Sequence, residues 1–179
     1  MRETAIARNV EIKAFARDLD ELLEKAQSLS SQPPEIIAQT DVFFRAAVGR
    51  LKLRILSPAH GELIFYDRTD QAGPKTSIYM VSVTNQPSAL RAVLSAACGE
   101  DITVQKIRKR YLIGRTRVHV DAVENLGDFV ELEVMLKEGE NPDDGVVEAQ
   151  NLMDELGIKQ ADLIENAYAD LLKVQTFPA

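Results

Sequence analysis

Glu131 and Glu133 stand two residues apart in GDFVELEVML, residues 127–136. On a β-strand, residues two apart share a face. Phe129, Glu131, Glu133 and Met135 then point one way, and Val130, Leu132, Val134 and Leu136 the other. Two like charges side by side repel, and two readings explain their presence: a solvated sheet face, or a cation held by the pair. The same alternation recurs along the chain. Asn9, Glu11 and Lys13 oppose Val10, Ile12 and Ala14, and Arg50, Lys52 and Arg54 oppose Leu51, Leu53 and Ile55. Arg68 follows Ile64 and Tyr66 on its face, Lys106, Arg108 and Arg110 share a side, and Arg115, Arg117, His119 and Asp121 oppose Val118 and Val120. An antiparallel sheet with one wet face produces this pattern. The bases nevertheless cluster by strand with few acidic partners, in a chain whose net charge is -7. If the sheet closes into a barrel, its polar face becomes the interior, and about eight strands leave room for side chains or one small ligand. Bases enclosed there require a polyanion. Glu11, Asp121, Glu131 and Glu133 supply hard oxygen ligands for a divalent cation such as Mg²⁺ or Mn²⁺. Bases for phosphates beside carboxylates for a metal suggest phosphoryl or nucleotidyl transfer.

The elements that must position these residues are legible from periodicity. Strands are expected at 9–16, 37–45, 50–57, 62–68, 76–84, 102–112, 115–123 and 128–137, bounded by turn signals such as "PAHG", "DQAGP" and "LIGR". The spacing predicts a helix at 18–29, with Asp18 as N-cap and Glu21 at the capping-box position. Further helices are expected at 86–99, at 141–157 between N-cap Asn141 and Gly157, and at 159–173. The last of these would carry Leu163, Ile164, Ala167, Tyr168 and Leu171 on one face. Strands in short hairpins with helices between them give an α+β class with an antiparallel sheet, rather than a βαβ pattern.

Composition narrows the function. A length of 179 residues suits a single domain spanning 1–179, and 45% hydrophobic with 27% charged residues is ordinary for a soluble globular chain. A pI near 4.9 argues against a binder of nucleic acid polymers or of an anionic membrane. One cysteine, Cys98, excludes an internal disulfide or a cysteine-built zinc site and reads as a small core residue. No apolar run is long enough for a membrane span or a signal-peptide h-region, so a cytoplasmic setting is expected.

The residues resemble those of the CYTH superfamily, the triphosphate tunnel metalloenzymes, which includes class IV adenylate cyclases and thiamine triphosphatase. The resemblance is carried by "NVEIK" at 9–13, "QTDVFF" at 39–44, "LKLR" at 51–54, "QKIRKRYLIGRTRVHVD" at 105–121, "LGDFVELEV" at 126–134 and "YADLL" at 168–172. It implies an eight-stranded antiparallel barrel, a tunnel with helices packed outside it, that holds a triphosphate. By position, it implies that Glu11, Glu131 and Glu133 hold the metal and that Asp121 binds or positions a second ion. Lys13, Arg54, Arg68, Lys106, Arg108 and Arg117 would grip phosphates; Arg110 belongs to the same basic face, and Lys52 and Lys75 match less closely. Lys13, Asp121 and Arg117 stand as the candidate catalytic groups. The first glutamate of the family motif falls at Asn9 here, which removes one negative charge from the metal side. Three functions follow: conversion of ATP to cyclic AMP and pyrophosphate, hydrolysis of thiamine triphosphate or inorganic triphosphate, and non-catalytic binding of nucleotide or polyphosphate. Either a monomer or a homodimer is compatible with these readings. His119 is either a substrate contact or a histidine satisfied by a neighbouring carboxylate, and Asp41 either orients a lysine or arginine or ends a hydrogen-bond chain of no catalytic weight.

Overall fold

The computed structural model describes residues 6–67 and 73–176. Its strands run Ile6–Phe15 (β1), Glu35–Phe44 (β2), Arg50–Ser57 (β3), His60–Asp67 (β4), Lys75–Thr84 (β5), Glu100–Ile113 (β6), Thr116–Val123 (β7) and Gly127–Met135 (β8). They close into one antiparallel barrel in the order β1-β5-β4-β3-β2-β6-β7-β8. Helices Leu19–Leu29 (α1), Pro87–Cys98 (α2), Pro142–Leu156 (α3) and Tyr168–Thr176 (α4) pack around it.

Closure decides where the core lies. The apolar residues of β1, β7 and β8 that alternate with the polar ones face outward, and helices cover them. Val10, Ile12 and Ala14 of β1, Val118 and Val120 of β7, and Val130, Leu132 and Val134 of β8 are buried in one cluster with Leu22 and Ala26 of α1 and Ala149, Leu152, Met153 and Leu156 of α3. Gly145 lets α3 sit this close: an added Cβ would lie 2.7 Å from Leu136 Cδ2 and 2.9 Å from Val10 Cγ2. A smaller cluster, Val42, Phe44 and Leu53, lies beneath Leu90, Leu94 and Cys98 of α2.

The caps match the local sequence. Asp18 accepts from the Glu21 backbone N–H, and Asn141 accepts from that of Asp143, with Pro142 at the first helical position. Gly157 takes the left-handed conformation that ends α3.

The last predicted helix is corrected. Residues 160–162 form one 3₁₀ turn, the chain then extends, and α4 starts only at Tyr168. The reason is an unpaired sheet edge. β5 begins at Lys75, opposite Glu11, so β1 runs past it. Leu163 bridges to Ala14 there, and the Ile164 N–H donates to the Lys13 carbonyl at 2.8 Å. Satisfying that backbone group outweighs helical periodicity. The detour turns Ile164, Tyr168, Ala169 and Leu172 onto Phe43, Val104, Val123 and Phe129, an apolar plug over one end of the barrel.

Candidate active site

The barrel encloses a cavity of about 360 Å³. Among the described side chains, six cations line it (Lys13, Lys52, Arg54, Lys106, Arg108 and Arg117) with five carboxylates (Glu11, Asp41, Glu62, Glu131 and Glu133). The antiparallel register explains why they meet. It places Lys13 opposite Glu131, Arg117 opposite Glu133, Arg108 opposite Asp121, and Arg54 opposite both Asp41 and Glu62. The expected shortage of acidic partners is therefore corrected: the partners sit across strands, where spacing along one strand cannot reveal them.

Two buried carboxylates anchor the bases. Asp41 accepts from Lys52 Nζ at 2.8 Å and from Arg54 Nε and Nη2 at 3.0 and 3.2 Å. Asp121, fully buried, accepts from Lys106 Nζ and from Arg108 Nε and Nη2, each at 2.7 Å, and from the Tyr168 hydroxyl at 3.1 Å. Burial alone would raise both carboxyl pKa values. At Asp41 the charges of Arg54 and Lys52 more than reverse this, and at Asp121 those of Arg108 and Lys106 do so, leaving both well below the usual carboxylate range. Lys106 is pushed down to about 7, first by burial and then by the neighbouring Arg108.

Glu131 accepts from Arg108 Nη2 at 2.7 Å and lies 3.4 Å from Lys13 Nζ. Glu133 is less enclosed, 3.9 Å from Arg117. Tyr168 forms part of the cavity wall at the plugged end, with the Lys13 ammonium 4.0 Å and the Lys106 ammonium 4.8 Å from its ring centroid. Asn9 also lines the cavity, and its Oδ1 is buried without a hydrogen-bond partner among the described residues.

The expected site residues separate into groups. Glu11, Lys13, Lys52, Arg54, Lys106, Arg108, Arg117, Glu131 and Glu133 come together in the cavity. Asp121 does not line it; it accepts from Lys106, Arg108 and Tyr168 and stands behind the bases. Arg110 follows the interior face to its rim, where it is exposed and paired with Glu35 outside the cavity. Arg115 lies in the turn before β7 and reaches α3's Glu148 and the preceding Glu140 instead of the interior. Lys75 opens β5 opposite Glu11 in register, and Arg68 lies outside the described residues. Sequence reasoning missed Glu62, Tyr79 and Tyr168, which also line the cavity. Alternation from Ile64 would have placed Glu62 there; for Tyr168 the misread helix hid the signal.

Three donors offer a place for a divalent cation. One carboxylate oxygen each from Glu131 and Glu133 and one ring nitrogen of His119 all lie within 4.8 Å of one another. The donors fit such an ion, although Glu11 and Asp121 are not among them.

The CYTH domain model matches residues 7–168. The chain belongs to the CYTH family. Solved structures with the same fold include a Pyrococcus horikoshii protein, with TM-score 0.79 and 21% identity, covering 91% of this chain and 98% of that one. A candidate adenylate cyclase from Vibrio parahaemolyticus matches with TM-score 0.70 and 16% identity over 92% of this chain and 97% of that one. A candidate adenylyl cyclase from Hippeastrum, said to reveal a dominant triphosphatase activity, matches with TM-score 0.64 and 15% identity over 95% and 98%. No curated protein matches the sequence. The closed eight-stranded antiparallel barrel with helices outside it is the tunnel fold the sequence motifs implied. Among the described residues of this CYTH chain, no helix is long and apolar enough to cross a membrane.

Proposed function

We propose that this CYTH protein is a divalent-metal-dependent enzyme acting on a small-molecule triphosphate, with class IV adenylate cyclase-like conversion of ATP to cyclic AMP and pyrophosphate as the first reading. The observation that carries it is the matched set of bases and carboxylates enclosed in one cavity. The site neutralises itself through internal ion pairs, so a polyanion alone must compete with Asp41, Glu131 and Glu133 for the bases. A triphosphate arriving with a cation does not: carboxylates turn to the cation and bases to the phosphates, and the site exchanges one set of pairs for another. Guanidinium forks on Arg54, Arg108 and Arg117 suit bidentate phosphate contacts, and Lys13 and Lys106 act as point charges. Glu131 and Glu133 would hold Mg²⁺ or Mn²⁺, which when bound supplies positive charge to the phosphate oxygens. Asp121 acts as a positioning residue that fixes Lys106 and Arg108. In the cyclase reaction the ribose 3′-hydroxyl attacks the α-phosphorus and pyrophosphate leaves. The single cysteine supports a cytoplasmic setting.

A second reading has comparable support. Water attacking the terminal phosphorus of thiamine triphosphate or inorganic triphosphate needs the same side chains, and the Hippeastrum structure's stated triphosphatase activity favours it. The test incubates the protein with Mg²⁺ or Mn²⁺ and, separately, ATP, thiamine triphosphate and inorganic triphosphate, and resolves the products by chromatography. Cyclic AMP with pyrophosphate establishes the cyclase, and orthophosphate with a shortened chain the triphosphatase. Binding heat without product assigns a binding module, in which the charge lost at Asn9 has removed turnover. Neither product nor heat rejects the tunnel reading.

A further inference from the structure

His119 lies on β7 between Arg117 and Asp121, at 3% exposure. Its Nδ1 is 3.8 Å from Glu131 Oε2 and 3.8 Å from Glu133 Oε1. Both separations are too long for a hydrogen bond, and among the described residues Nδ1 has no hydrogen-bond partner. Buried side-chain polar atoms nearly always have one, so a nitrogen poised between two carboxylates at this depth needs an explanation. A conventional buried histidine would donate to one carboxylate at hydrogen-bond distance. Here the nitrogen stands equidistant from both.

The spacing is that of a ligand set. Two donors each about 2.1 Å from one ion lie roughly 3.4 Å apart at a tetrahedral angle and about 4.2 Å apart when opposed. The 3.8 Å separations fall inside that span, and the whole group, within 4.8 Å, needs only a small contraction. Glu131 Oε2 already accepts from Arg108, but a carboxylate oxygen has a second lone pair for an ion.

We infer that His119 Nδ1 joins Glu131 and Glu133 as an inner-sphere ligand of the divalent ion, and that the site therefore prefers a transition ion such as Mn²⁺ or Co²⁺ over Mg²⁺. Imidazole suits transition ions, whereas Mg²⁺ demands oxygen donors in near-ideal octahedral geometry. The ion's role rests on the triphosphate reading; its ligation by His119 does not, and is measured without substrate.

The experiment is pulsed electron paramagnetic resonance on the full chain loaded with Mn²⁺ alone, with natural-abundance and ¹⁵N-labelled histidine. The chain has two histidines, and His60 is exposed at the start of β4, so assignment is direct. The expected spectrum shows a directly bound nitrogen whose coupling changes with the label, persists in His60→Ala and disappears in His119→Gln. Calorimetry on His119→Gln is expected to show Mn²⁺ affinity falling about tenfold or more, with Mg²⁺ affinity changed less than about twofold. A wild-type spectrum without nitrogen coupling overturns the inference, as does equal weakening of both metals. If His119→Gln does not fold, the wild-type and His60→Ala spectra decide alone. Nitrogen coupling without turnover of any triphosphate upholds His119 and rejects the enzyme; turnover without the coupling does the reverse. Failure to bind Mn²⁺ at all overturns this inference together with the metal-dependent reading.

Discussion

Replacing Asp121 by asparagine keeps the side chain's shape and removes one negative charge from a position with 0% exposure. In the wild type, Oδ1 accepts from Arg108 Nε, while Oδ2 accepts from Lys106 Nζ, Arg108 Nη2 and the Tyr168 hydroxyl. Whichever way the amide is turned, its NH₂ faces at least one of these donors, and two buried cations lose their principal counter-charge. Breaking a buried ion pair by removing one partner costs about 3–5 kcal/mol. For a chain of this length each kcal/mol moves Tm by about 2–4 °C, so a fall of roughly 6–20 °C is expected. An exposed carboxylate, Glu24 on α1, serves as the control, and Glu24→Gln should stay within about 0.5 kcal/mol. The informative comparison adds triphosphate. Ligand at a hundred times Kd stabilises the fold by about 2.7 kcal/mol, and the variant, whose Lys106 and Arg108 are no longer fixed, should gain less from the polyanion than the wild type. Thermal melts of both proteins, with and without millimolar inorganic triphosphate and Mg²⁺, read this directly. An unchanged melting temperature for the ligand-free variant would show that Asp121 does not hold the bases. A triphosphate shift in the variant as large as in the wild type would refute the positioning role of Asp121.

The two strand glutamates are expected to differ. Glu133→Gln should abolish metal-dependent turnover and change stability by less than about 1 kcal/mol, because its Arg117 partner is 3.9 Å away and partly exposed. Glu131→Gln should also lower the unfolding free energy, by about 3 kcal/mol or more, because Lys13 and Arg108 lose a buried counter-ion; paired urea melts check both values. Lys106, pushed down to about 7, should take up a proton when triphosphate binds near pH 7.5, because an adjacent polyanion favours the ammonium. Calorimetry in buffers of different ionisation enthalpy measures the uptake, and a zero proton count would exclude it. The same lysine makes stability rise with pH between about 7 and 10.4, since the unfolded chain binds more protons there than the folded one.

All eight strands were legible because period-2 alternation survives closure of the sheet: turning it into a barrel changes which side is solvent but not which residues share a face. Interior pairing was not legible. Asp121 looks like one more acid on the β7 face until the register sets it beside Arg108 of β6. Once paired, it reads as the counter-ion of two bases. Arg115 was misplaced because the alternation was carried one residue into a turn, where side-chain direction no longer follows the pleat. The helix at 159–173 failed for a non-local reason. Leu163, Ile164 and Ala167 do have helical spacing, but the Lys13 carbonyl, about 150 residues earlier in sequence, offered a competing backbone bond.

The pairing of β1 with both β5 and β8 also sets an order of events. β1 meets β5 only after about sixty further residues have been made, and β8 only after about 120. The segment that lays Tyr168 against Lys13 comes later still. Contacts of such long sequence separation must overcome loop-closure entropy before they stabilise anything, which slows folding. During synthesis the polar wall of β1, with Glu11 and Lys13, therefore emerges from the ribosome without its partners and stays wet until the C-terminal part of the chain arrives. The residues that give the interior its chemistry also keep the unfinished sheet soluble, since a strand edge carrying charges is a poor template for joining another chain.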